Sequence, residues 1–390
     1  MIPRESENEL RKLAKQFKAV AVIGPRQSGK TTLVRHVFHD RPYVSLENPD
    51  NRNFILNDPR GFLNSYASGA IIDEAQRNPE LFSYLQQVLD ETSQPGTFIL
   101  TGSNNFLLQE NITQSLAGRI AYLKLYSFSY DELKSQIDYP LNKLLYSGTY
   151  PPIYDQNIEP IKWYANYVNT YIERDVRQLI NIGNQVHFNR FLKLCAGRVG
   201  QMLNMNNLAI ETGVDNKTIA SWISILESSF IIYRLKPHYK NFNKRIVKTP
   251  KLYFYDTGLV CYLLGIKKTS QLESHPLYGH IFENFIVSDI FKTQHHNALP
   301  VELYYWRDNS GHEIDLLIDY GYPSLLPIEI KAGQTITSDF FKNLSFFQKI
   351  SGVHDSILTY TGKQFQKRSS GIKVIPWNKL ALDFKNEFSA

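Results

Sequence analysis

The stretch Ala19-Val20-Ala21-Val22-Ile23-Gly24-Pro25-Arg26-Gln27-Ser28-Gly29-Lys30-Thr31 decides the fold of the first part of the chain. Its first five residues are apolar and rich in β-branched side chains, which predicts a buried strand. The following eight residues match the pattern G-x-x-x-x-G-K-[ST], and residues 30–38 are expected to form a helix. A strand, a glycine-rich loop and a helix in this order predict a phosphate-binding loop.

The chemistry of such a loop predicts ATP and Mg²⁺ as cofactors. Its glycines let backbone N–H groups point at phosphate oxygens, and the helix adds the positive end of its dipole. Lys30 is expected to reach the β- and γ-phosphates, and Thr31 to offer its hydroxyl to Mg²⁺. The predicted nucleotide-binding residues are Gly24, Pro25, Arg26, Gln27, Ser28, Gly29, Lys30, Thr31 and Thr32.

Two further apolar segments end in polar residues that belong beside the phosphates. Residues 70–72 precede Asp73 and Glu74, and residues 97–101 precede Asn104. In an open α/β sheet the ligand lies outside the carboxyl ends of the strands. Asp73 is expected to hold the water shell of Mg²⁺, Glu74 to polarise the attacking water, and Asn104 to contact the γ-phosphate or that water. The simpler alternatives are a helix cap for Asp73 and a turn for Asn104.

Together these segments resemble the AAA+ ATPases, with a Walker A motif at residues 24–31, a Walker B motif at residues 71–74 and a sensor-1 position at Asn104. Residues 115–119, Ser-Leu-Ala-Gly-Arg, resemble a bacterial and archaeal branch whose ATPase precedes a C-terminal domain of unknown function. The resemblance implies that Arg119 is an arginine finger for a neighbouring subunit, and therefore a homo-oligomer. The alternative is that Arg119 pairs within its own subunit.

The middle of the chain predicts helices and a DNA-binding module. Residues 162–194 are expected to form helices that cover the nucleotide as a lid, and Arg174 or Arg177 is either a second phosphate sensor or an exposed ion-pairing residue. Residues 206–222 are typical of a helix-turn-helix, with Gly213 in the turn and Asp215 capping the second helix. Its exposed face, where a recognition helix meets the major groove, would present Lys217, Thr218 and Ser221.

A basic stretch follows the helix-turn-helix. No acidic residue lies between Glu227 and Asp256, and the basic residues there are Arg234, Lys236, Lys240, Lys244, Arg245, Lys248 and Lys251. We expect residues 230–235 and 252–255 to form the wing of a winged helix, with Lys244, Arg245 and Lys248 contacting the DNA backbone. The alternatives are a winged helix that docks proteins, and a solvated face without a nucleic-acid partner.

The last third of the chain carries a second constellation. Glu283 lies in an amphipathic segment, Asp315 in a strand predicted over residues 311–319, and Glu329 and Lys331 on one face of the next strand. Carboxylates and an amine around one Mg²⁺ suit phosphodiester hydrolysis. These residues resemble the PD-(D/E)xK nuclease superfamily, which implies Asp315, Glu329 and Lys331 as catalytic residues and Glu283, Asp315 and Glu329 as metal ligands. The alternative is a scaffold that does not cleave.

The composition fits a multidomain globular protein. The chain has 390 residues, 43% of them hydrophobic and 21% charged, which excludes fibrous and disordered classes. Its two cysteines lie far apart, and no early apolar run is long enough to span a bilayer, so we expect a cytoplasmic protein without membrane contact. The predicted class is α/β, with a parallel-sheet AAA+ domain over 1–140, a helical lid over 141–200, a winged helix over 201–268 and a restriction-endonuclease-like domain over 269–390. The predicted function is an ATPase that acts on DNA, with a non-cleaving nucleotide-switched regulator as the alternative.

Overall fold

The structure is a computed structural model that describes residues 2–103, 116–176, 185–239, 247–299, 302–321 and 324–380, with only the backbone of residues 173–176. Three β-sheets organise these residues, and each belongs to a different third of the chain. None of the described helices combines the length and the apolar composition needed to cross a lipid bilayer.

The first sheet has five parallel strands in the order β2-β3-β4-β1-β5. Its strands are β1 (Ala19–Ile23), β2 (Tyr43–Ser45), β3 (Ala70–Asp73), β4 (Phe98–Gly102) and β5 (Ile120–Lys124). Five helices accompany it: α1 (Ser6–Gln16), α2 (Lys30–Val37), α3 (Pro49–Asn57), α4 (Pro59–Asn64) and α5 (Leu81–Glu91).

Strand β1 is buried along its whole length, as its uninterrupted apolar sequence predicts. Because side chains alternate along a strand, Ala19, Ala21 and Ile23 enter the core shared with α3, α4 and α5. Val20 and Val22 enter the core on the opposite face, against α1 and α2. The predicted parallel sheet is confirmed, and the structure adds that helices cover both of its faces.

Short helices follow the first sheet: α6 (Tyr130–Lys134), α7 (Leu141–Ser147), α8 (Pro151–Asp155) and α9 (Pro160–Tyr167). Helices α8 and α9 each begin at a proline, which fits the first helical position because no N–H is needed there. The long α-helical pattern predicted from residue 162 changes at Val168–Val176, which is a π-helix. The backbone therefore widens directly after the aromatic cluster of Tyr150, Trp163 and Tyr167.

The second sheet is small and antiparallel, with the order β6-β8-β7. Its strands are β6 (Gln201–Met202), β7 (Ile232–Leu235) and β8 (Lys251–Phe254), and it packs with α10 (Gln185–Ala196), α11 (Met205–Thr212) and α12 (Asn216–Ser228). Gly213 ends α11 with φ of 81°, a value that glycine adopts without steric cost. The side chain of Asp215 then accepts from the N–H of Thr218 and begins α12.

The third sheet is mixed, with the order β13-β14-β12-β11-β10-β9. Its strands are β9 (Glu302–Arg307), β10 (Glu313–Asp319), β11 (Leu325–Lys331), β12 (Ser356–Tyr360), β13 (Gln366–Lys367) and β14 (Ile372–Pro376). Helices α14 (Tyr278–His296) and α15 (Lys342–Ser351) pack on this sheet, whereas α13 (Thr257–Leu263) precedes them in the chain and packs against α7, α9 and α14. Strand β10 begins two residues later than predicted because Gly311, with φ of 93°, belongs to the preceding turn.

The hairpin between β7 and β8 is docked on β9, the edge strand of the third sheet. The N–H of His238 donates to the carbonyl of Tyr305 at 2.7 Å, and the N–H of Tyr305 donates to the carbonyl of Lys236 at 3.1 Å. The N–H of Val247 donates to the carbonyl of Arg307 at 3.0 Å. These bonds occupy backbone groups that an edge strand otherwise exposes. The predicted wing strands are paired, and the described parts of the hairpin lie against the third sheet.

Candidate functional site

The loop after β1 is curled tightly around one lysine. A Cβ atom on Gly24 would lie 2.0 Å from the carbonyl oxygen of Leu125, so this position has no room for a side chain. Gln27 and Gly29 both have positive φ, at 64° and 92°. The curl brings the Nζ of Lys30 to the carbonyl of Gly24 at 3.1 Å and to that of Pro25 at 2.8 Å.

Lys30 carries its charge in a poorly solvated position. Burial lowers the pKa of Lys30 to about 8, although Glu74 and Asp73 oppose this change. Both of its hydrogen-bond partners among the described residues are neutral carbonyls. A phosphate group bound inside the loop would add an anion in direct contact with the ammonium.

The pair predicted to hold Mg²⁺ lies together at the carboxyl edge of the first sheet. The hydroxyl of Thr31 donates to Oδ1 of Asp73 at 3.0 Å. Mg²⁺ in nucleotide sites uses one or two protein oxygens and keeps several waters, so this pair of hard oxygen donors fits the ion. Two further hydroxyls hold the carboxylate: Tyr43 donates to Oδ2 at 2.7 Å, and Thr101 donates to Oδ1.

Glu74 has an unusual backbone conformation, with φ of 55° and ψ of 44°. A non-glycine residue there costs roughly 1–3 kcal/mol and persists only when its surroundings hold it. The N–H of Glu74 donates to the hydroxyl of Thr101 at 3.3 Å. Its Oε2 accepts from the hydroxyl of Ser103 at 3.0 Å and from the side-chain amide of Gln76. The predicted Asn104 lies outside the described residues.

These groups surround one cavity of about 600 Å³, a size within the range of ligand pockets. The predicted site residues on its wall are Arg26, Gln27, Gly29, Lys30, Thr31, Thr32, Asp73 and Glu74. The opposite wall comes from the segment predicted to be a lid, and includes Pro151, Trp163, Asn166, Tyr167 and Thr170. Gly24 and Pro25 instead shape the curl, and Ser28 is buried behind it.

Sequence reasoning missed Tyr43, Thr101 and Ser103. Thr101 and Ser103 carried a usable signal, because both lie at or just after the carboxyl end of β4, where ligand-facing residues gather. Tyr43 carried none, since it begins β2 and reaches Asp73 only through the length of its side chain.

Arg119 does not reach the cavity of its own chain. Its Nε and Nη2 bind Oδ1 and Oδ2 of Asp90 at 2.5 and 3.0 Å. The residue precedes β5, whose first position pairs with Ala19, the first residue of β1. Five strand residues, roughly 17 Å, therefore separate it from the phosphate-binding loop at the other end of β1. The pairing within one subunit, the alternative weighed from the sequence, is the one observed.

A second group of charged residues lies between α14 and the third sheet. The Nζ of Lys331 lies 2.6 Å from Oε1 of Glu329, which also accepts from the side-chain amide of Asn343 at 3.1 Å. The other oxygen of Glu329 is buried and has no hydrogen-bond partner among the described residues. Asp315 accepts from the N–H of Ile330 at 2.8 Å. Asp315, Lys331 and Glu283 line a cavity of about 630 Å³.

Lys251 is buried, although the sequence predicted an exposed basic stretch at this position. It is only 3% exposed and lies inside the acidic group, with its Nζ 2.9 Å from Oε1 of Glu283 and 3.9 Å from Oδ1 of Asp315. It also pairs with Glu313. Burial alone would lower the pKa of Lys251, but these carboxylates outweigh it and raise the pKa. The position is buried because β8 runs alongside α14, a tertiary contact that charge patterning cannot register.

The pKa values of Asp315 and Glu283 in this group are shifted in opposite directions. Burial, followed by Glu329 and Glu283, raises the pKa of Asp315 well above its usual range. Burial would also raise the pKa of Glu283, but the ammonium of Lys251 outweighs it, and the pKa is lowered. The protonation of these two carboxyl groups therefore depends on the position of the Lys251 ammonium beside them.

The predicted metal ligands Glu283, Asp315 and Glu329 do not form a metal site in this conformation. Within the part of the chain that the structure describes, no three His, Cys, Asp or Glu side chains are arranged to hold a metal ion. The physical reason is that the ammonium groups of Lys251 and Lys331 occupy one oxygen each of Glu283 and Glu329. The residues as placed therefore do not fit Mg²⁺.

The predicted DNA contacts are only partly available. Lys217 and Lys248 are exposed, and Ser221 is half-buried. The hydroxyl of Thr218 donates to Oδ2 of Asp215 at 3.0 Å, so it serves the helix cap. The predicted DNA contacts Lys244 and Arg245 lie outside the described residues, as do Arg177 and the side chain of Arg174, the two candidates for a second phosphate sensor. Arg234, from the same basic stretch, pairs with Glu227 at 2.6 Å.

The chain matches three family descriptions in succession. An AAA domain matches residues 16–134, a domain of unknown function, DUF8612, matches residues 138–270, and another, DUF4143, matches residues 278–380. An uncharacterized protein of Mycobacterium tuberculosis is 31% identical over 320 residues, which is 81% of this chain and 71% of that protein.

More distant similarities were also found. An uncharacterized protein of Haemophilus influenzae is 26% identical over 211 residues, half of each chain. A Walker-type ATPase of Pyrococcus abyssi is a structural neighbour at 17% identity with a TM-score of 0.48, over 67% of this chain and 96% of that one.

Proposed function

Because the chain belongs to the same family as the uncharacterized mycobacterial protein and carries an AAA domain followed by DUF4143, we propose that it binds and hydrolyses ATP with Mg²⁺. The observation that carries the proposal is the convergence of Lys30, Thr31, Asp73 and Glu74 on one cavity. Each comes from the loop, helix or strand end where phosphate and magnesium chemistry requires it.

The residues divide the work as follows. Lys30, which is buried, would bind the β- and γ-phosphates and offset the charge that develops on the transferred group. Thr31 and Asp73 would hold Mg²⁺, which when bound neutralises phosphate charge. Glu74 would orient the attacking water and accept its proton, after its carboxylate turns away from Ser103 and Gln76.

The test compares two carboxylates on the same cavity. Glu74→Gln should bind ATP like the wild type and hydrolyse it at least a hundredfold more slowly, because a general base contributes about 10²–10⁴ in rate. Glu47→Gln is the matched control, since Glu47 lines the cavity at its exposed rim and pairs with Arg77. Steady-state phosphate release and calorimetric ATP binding measure both effects. Equal hydrolysis rates for Glu74→Gln and the wild type would remove Glu74 as the base.

A homo-oligomer with Arg119 acting on a neighbouring subunit belongs to the same proposal. The support is geometric. Arg119 lies at the amino-terminal end of the first sheet, and its own phosphate-binding loop lies at the opposite end. A nucleotide cavity that Arg119 contacts would therefore belong to another subunit. The link of Arg119 to Asp90 is exposed and can open at little cost.

DNA is the proposed partner of the middle and C-terminal parts, with boundaries near residues 141, 201 and 269. We propose that helices α11 and α12 and the strands β7 and β8 form a winged helix; Lys217 on α12 and Lys248 before β8 are exposed. Reversing Lys217 and Lys248 to glutamate should weaken DNA binding and flatten its dependence on salt, measured by fluorescence anisotropy. Unchanged affinity and salt dependence would count against this surface.

A second candidate function is metal-dependent DNA cleavage by the C-terminal part, as a nuclease-like module. The specific observation is that Asp315, Glu329 and Lys331 do meet on adjacent strands, and that one oxygen of Glu329 is buried without a partner among the described residues. Cleavage would first require the ammonium groups of Lys251 and Lys331 to leave Glu283 and Glu329. The variants Asp315→Ala and Lys331→Ala, with Asp319→Asn as control on the same strand, decide it. Cleavage that persists in both alanine variants would leave the non-cleaving regulator as the function.

A further inference from the structure

Arg4 is a buried arginine beside the phosphate-binding loop, and the sequence gives no hint of its role. It is 8% exposed, and its guanidinium makes three hydrogen bonds to residues far away in the chain. Nη1 donates to the carbonyl of Ser28 at 2.7 Å, Nη2 to the carbonyl of Tyr126 at 2.8 Å, and Nε to Oε1 of Glu132 at 2.9 Å. The guanidinium also stacks over the ring of Phe128 at 4.9 Å.

The bond to Ser28 orients a donor of the loop. A trans peptide is planar, so its C=O and the following N–H point to opposite sides. Because Arg4 binds the carbonyl of Ser28, the N–H of Gly29 in the same peptide is directed away from Arg4. Gly29 lies on the wall of the nucleotide cavity. Arg4 therefore fixes the direction of one of the backbone groups that a phosphate would meet.

The other two bonds connect Arg4 to the C-terminal part through α14. The N–H of Tyr126 donates to Nε2 of His296, the last residue of α14, at 3.1 Å. Since Nε2 accepts here, a neutral His296 carries its proton on Nδ1, which faces Oε1 of Glu132 at 3.7 Å. Oε1 of Glu132 thus accepts from Arg4 and lies near His296, whose Nδ1 makes no hydrogen bond to the described residues.

Two more residues of α14 bind the part of the chain that follows the first sheet. Oδ1 of Asp289 accepts from the N–H of Tyr130 at 2.6 Å, and Nζ of Lys292 donates to the hydroxyl of Thr149 at 2.7 Å. The same helix carries Glu283 of the acidic group, 13 residues or about 20 Å before His296. The same helix therefore carries a residue of the acidic group and, at its last residue, binds Tyr126, whose carbonyl accepts from Arg4.

We propose that Arg4 is a positioning residue of the phosphate-binding loop, and that Glu132 and His296 couple nucleotide occupancy of this loop to α14. The inference rests on the proposed nucleotide binding. Coupling of this kind is a free energy shared between two sites, so a change at Arg4 must appear both in ATP affinity and in the response of α14.

The test uses Arg4→Met, which keeps an unbranched stem against Phe128, and Arg4→Lys, which keeps the charge and cannot reach three acceptors. Arg11→Met is the matched control, because Arg11 lies on neighbouring α1, pairs with Glu7 at the surface and otherwise donates to the carbonyl of Val37 at the far end of α2. We expect ATP to bind at least tenfold more weakly to Arg4→Met, several-fold more weakly to Arg4→Lys, and within twofold of the wild type to Arg11→Met.

The outcomes separate the two proposals. If the wild type and Lys30→Ala bind ATP equally, or neither binds, the proposed nucleotide site fails. If Lys30→Ala loses binding while both folded Arg4 variants match the wild type, the role of Arg4 is overturned. Should Arg4→Met fail to fold, Arg4→Lys alone decides, with thermal unfolding as the measure of its integrity.

Hydrogen exchange tests the coupling. In the wild type, ATP should slow amide exchange in residues 126–130 and in the last turn of α14, and this protection should be lost in Arg4→Lys at saturating ATP. Protection confined to residues 24–31, or equal protection of α14 in both proteins, would overturn the coupling through Glu132 and His296.

Discussion

Raising the pH from 7 to 9 should weaken ATP binding about tenfold, because Lys30 loses its proton within this interval. Burial lowers the pKa of Lys30 to about 8, so about nine-tenths of the free protein is charged at pH 7 and about one-tenth at pH 9. If only the charged form binds the phosphates, the apparent Kd rises by the inverse of that fraction. A lysine with its ordinary pKa of 10.5 would show no change over this range.

Unfolding does not explain such a loss, as the sign of the linkage shows. The pKa of Lys30 is lower in the folded protein than in the unfolded chain, so between pH 8 and 10.5 the unfolded chain binds more protons. Stability from this group therefore rises with pH through that window, by at most about 3 kcal/mol. Affinity and stability are expected to move in opposite directions.

Isothermal titration calorimetry at pH 7, 8 and 9 and constant ionic strength measures the effect. Raising the pH over this range can only complete the ionisation of the ATP phosphates, so the ligand does not lose negative charge. Lys30→Arg is the control: its guanidinium remains charged, so its affinity is expected to be lower than that of the wild type but independent of pH. An unchanged Kd for the wild type from pH 7 to 9, or a parallel fall in Lys30→Arg, would refute the assignment of a depressed pKa to Lys30.

Three further predictions address other parts of the molecule. Arg119→Ala should unfold like the wild type but hydrolyse ATP at least 10³-fold more slowly. Mixing it with Lys30→Ala subunits, which still carry Arg119, should restore activity. No recovery in any mixture would reject an arginine finger that acts on a neighbouring subunit. Lys251→Met should lose about 3–5 kcal/mol of unfolding free energy in urea, because Glu283 and Glu313 lose a buried partner. Mn²⁺ should raise the Tm of this variant more than that of the wild type. Wild-type stability would contradict the buried ion pairs of Lys251. Burial raises the pKa of Asp289 to about 7, so its contribution to stability is full below pH 4 and is lost as the pH rises through 7. Relative to Asp289→Asn, the wild type should lose up to about 4 kcal/mol of unfolding free energy across this range. Parallel stability curves for the two proteins would refute this.

The first sheet and its loop could be predicted because their signals are local. The apolar run of β1 and the glycine pattern after it lie within 13 consecutive residues, and backbone geometry alone places Lys30 and Thr31. The carboxyl ends of β3 and β4 followed from the rule that such ends meet at one edge. These expectations needed no knowledge of distant contacts.

The charge of the middle region could not be predicted, since it depends on tertiary packing. A run of basic residues suggests an exposed face, yet Lys251 lies buried against Glu283 from α14, and Arg234 is neutralised by Glu227. The same limit applies to Arg4, whose three acceptors lie 24 to 128 residues away. A pattern read along the chain does not reveal which groups the fold brings together.

One hydrophobic core contains both Tyr126, which follows the first sheet, and Ile375 in the last strand, and α14 passes through it. A chain cut after residue 134 would leave Tyr126 and Phe128, both almost fully buried here, facing water. The amino-terminal portion therefore lacks a finished surface of its own, and expressing it alone should give aggregates. Recombination between relatives is correspondingly constrained, because exchanging one part requires its neighbours to change with it.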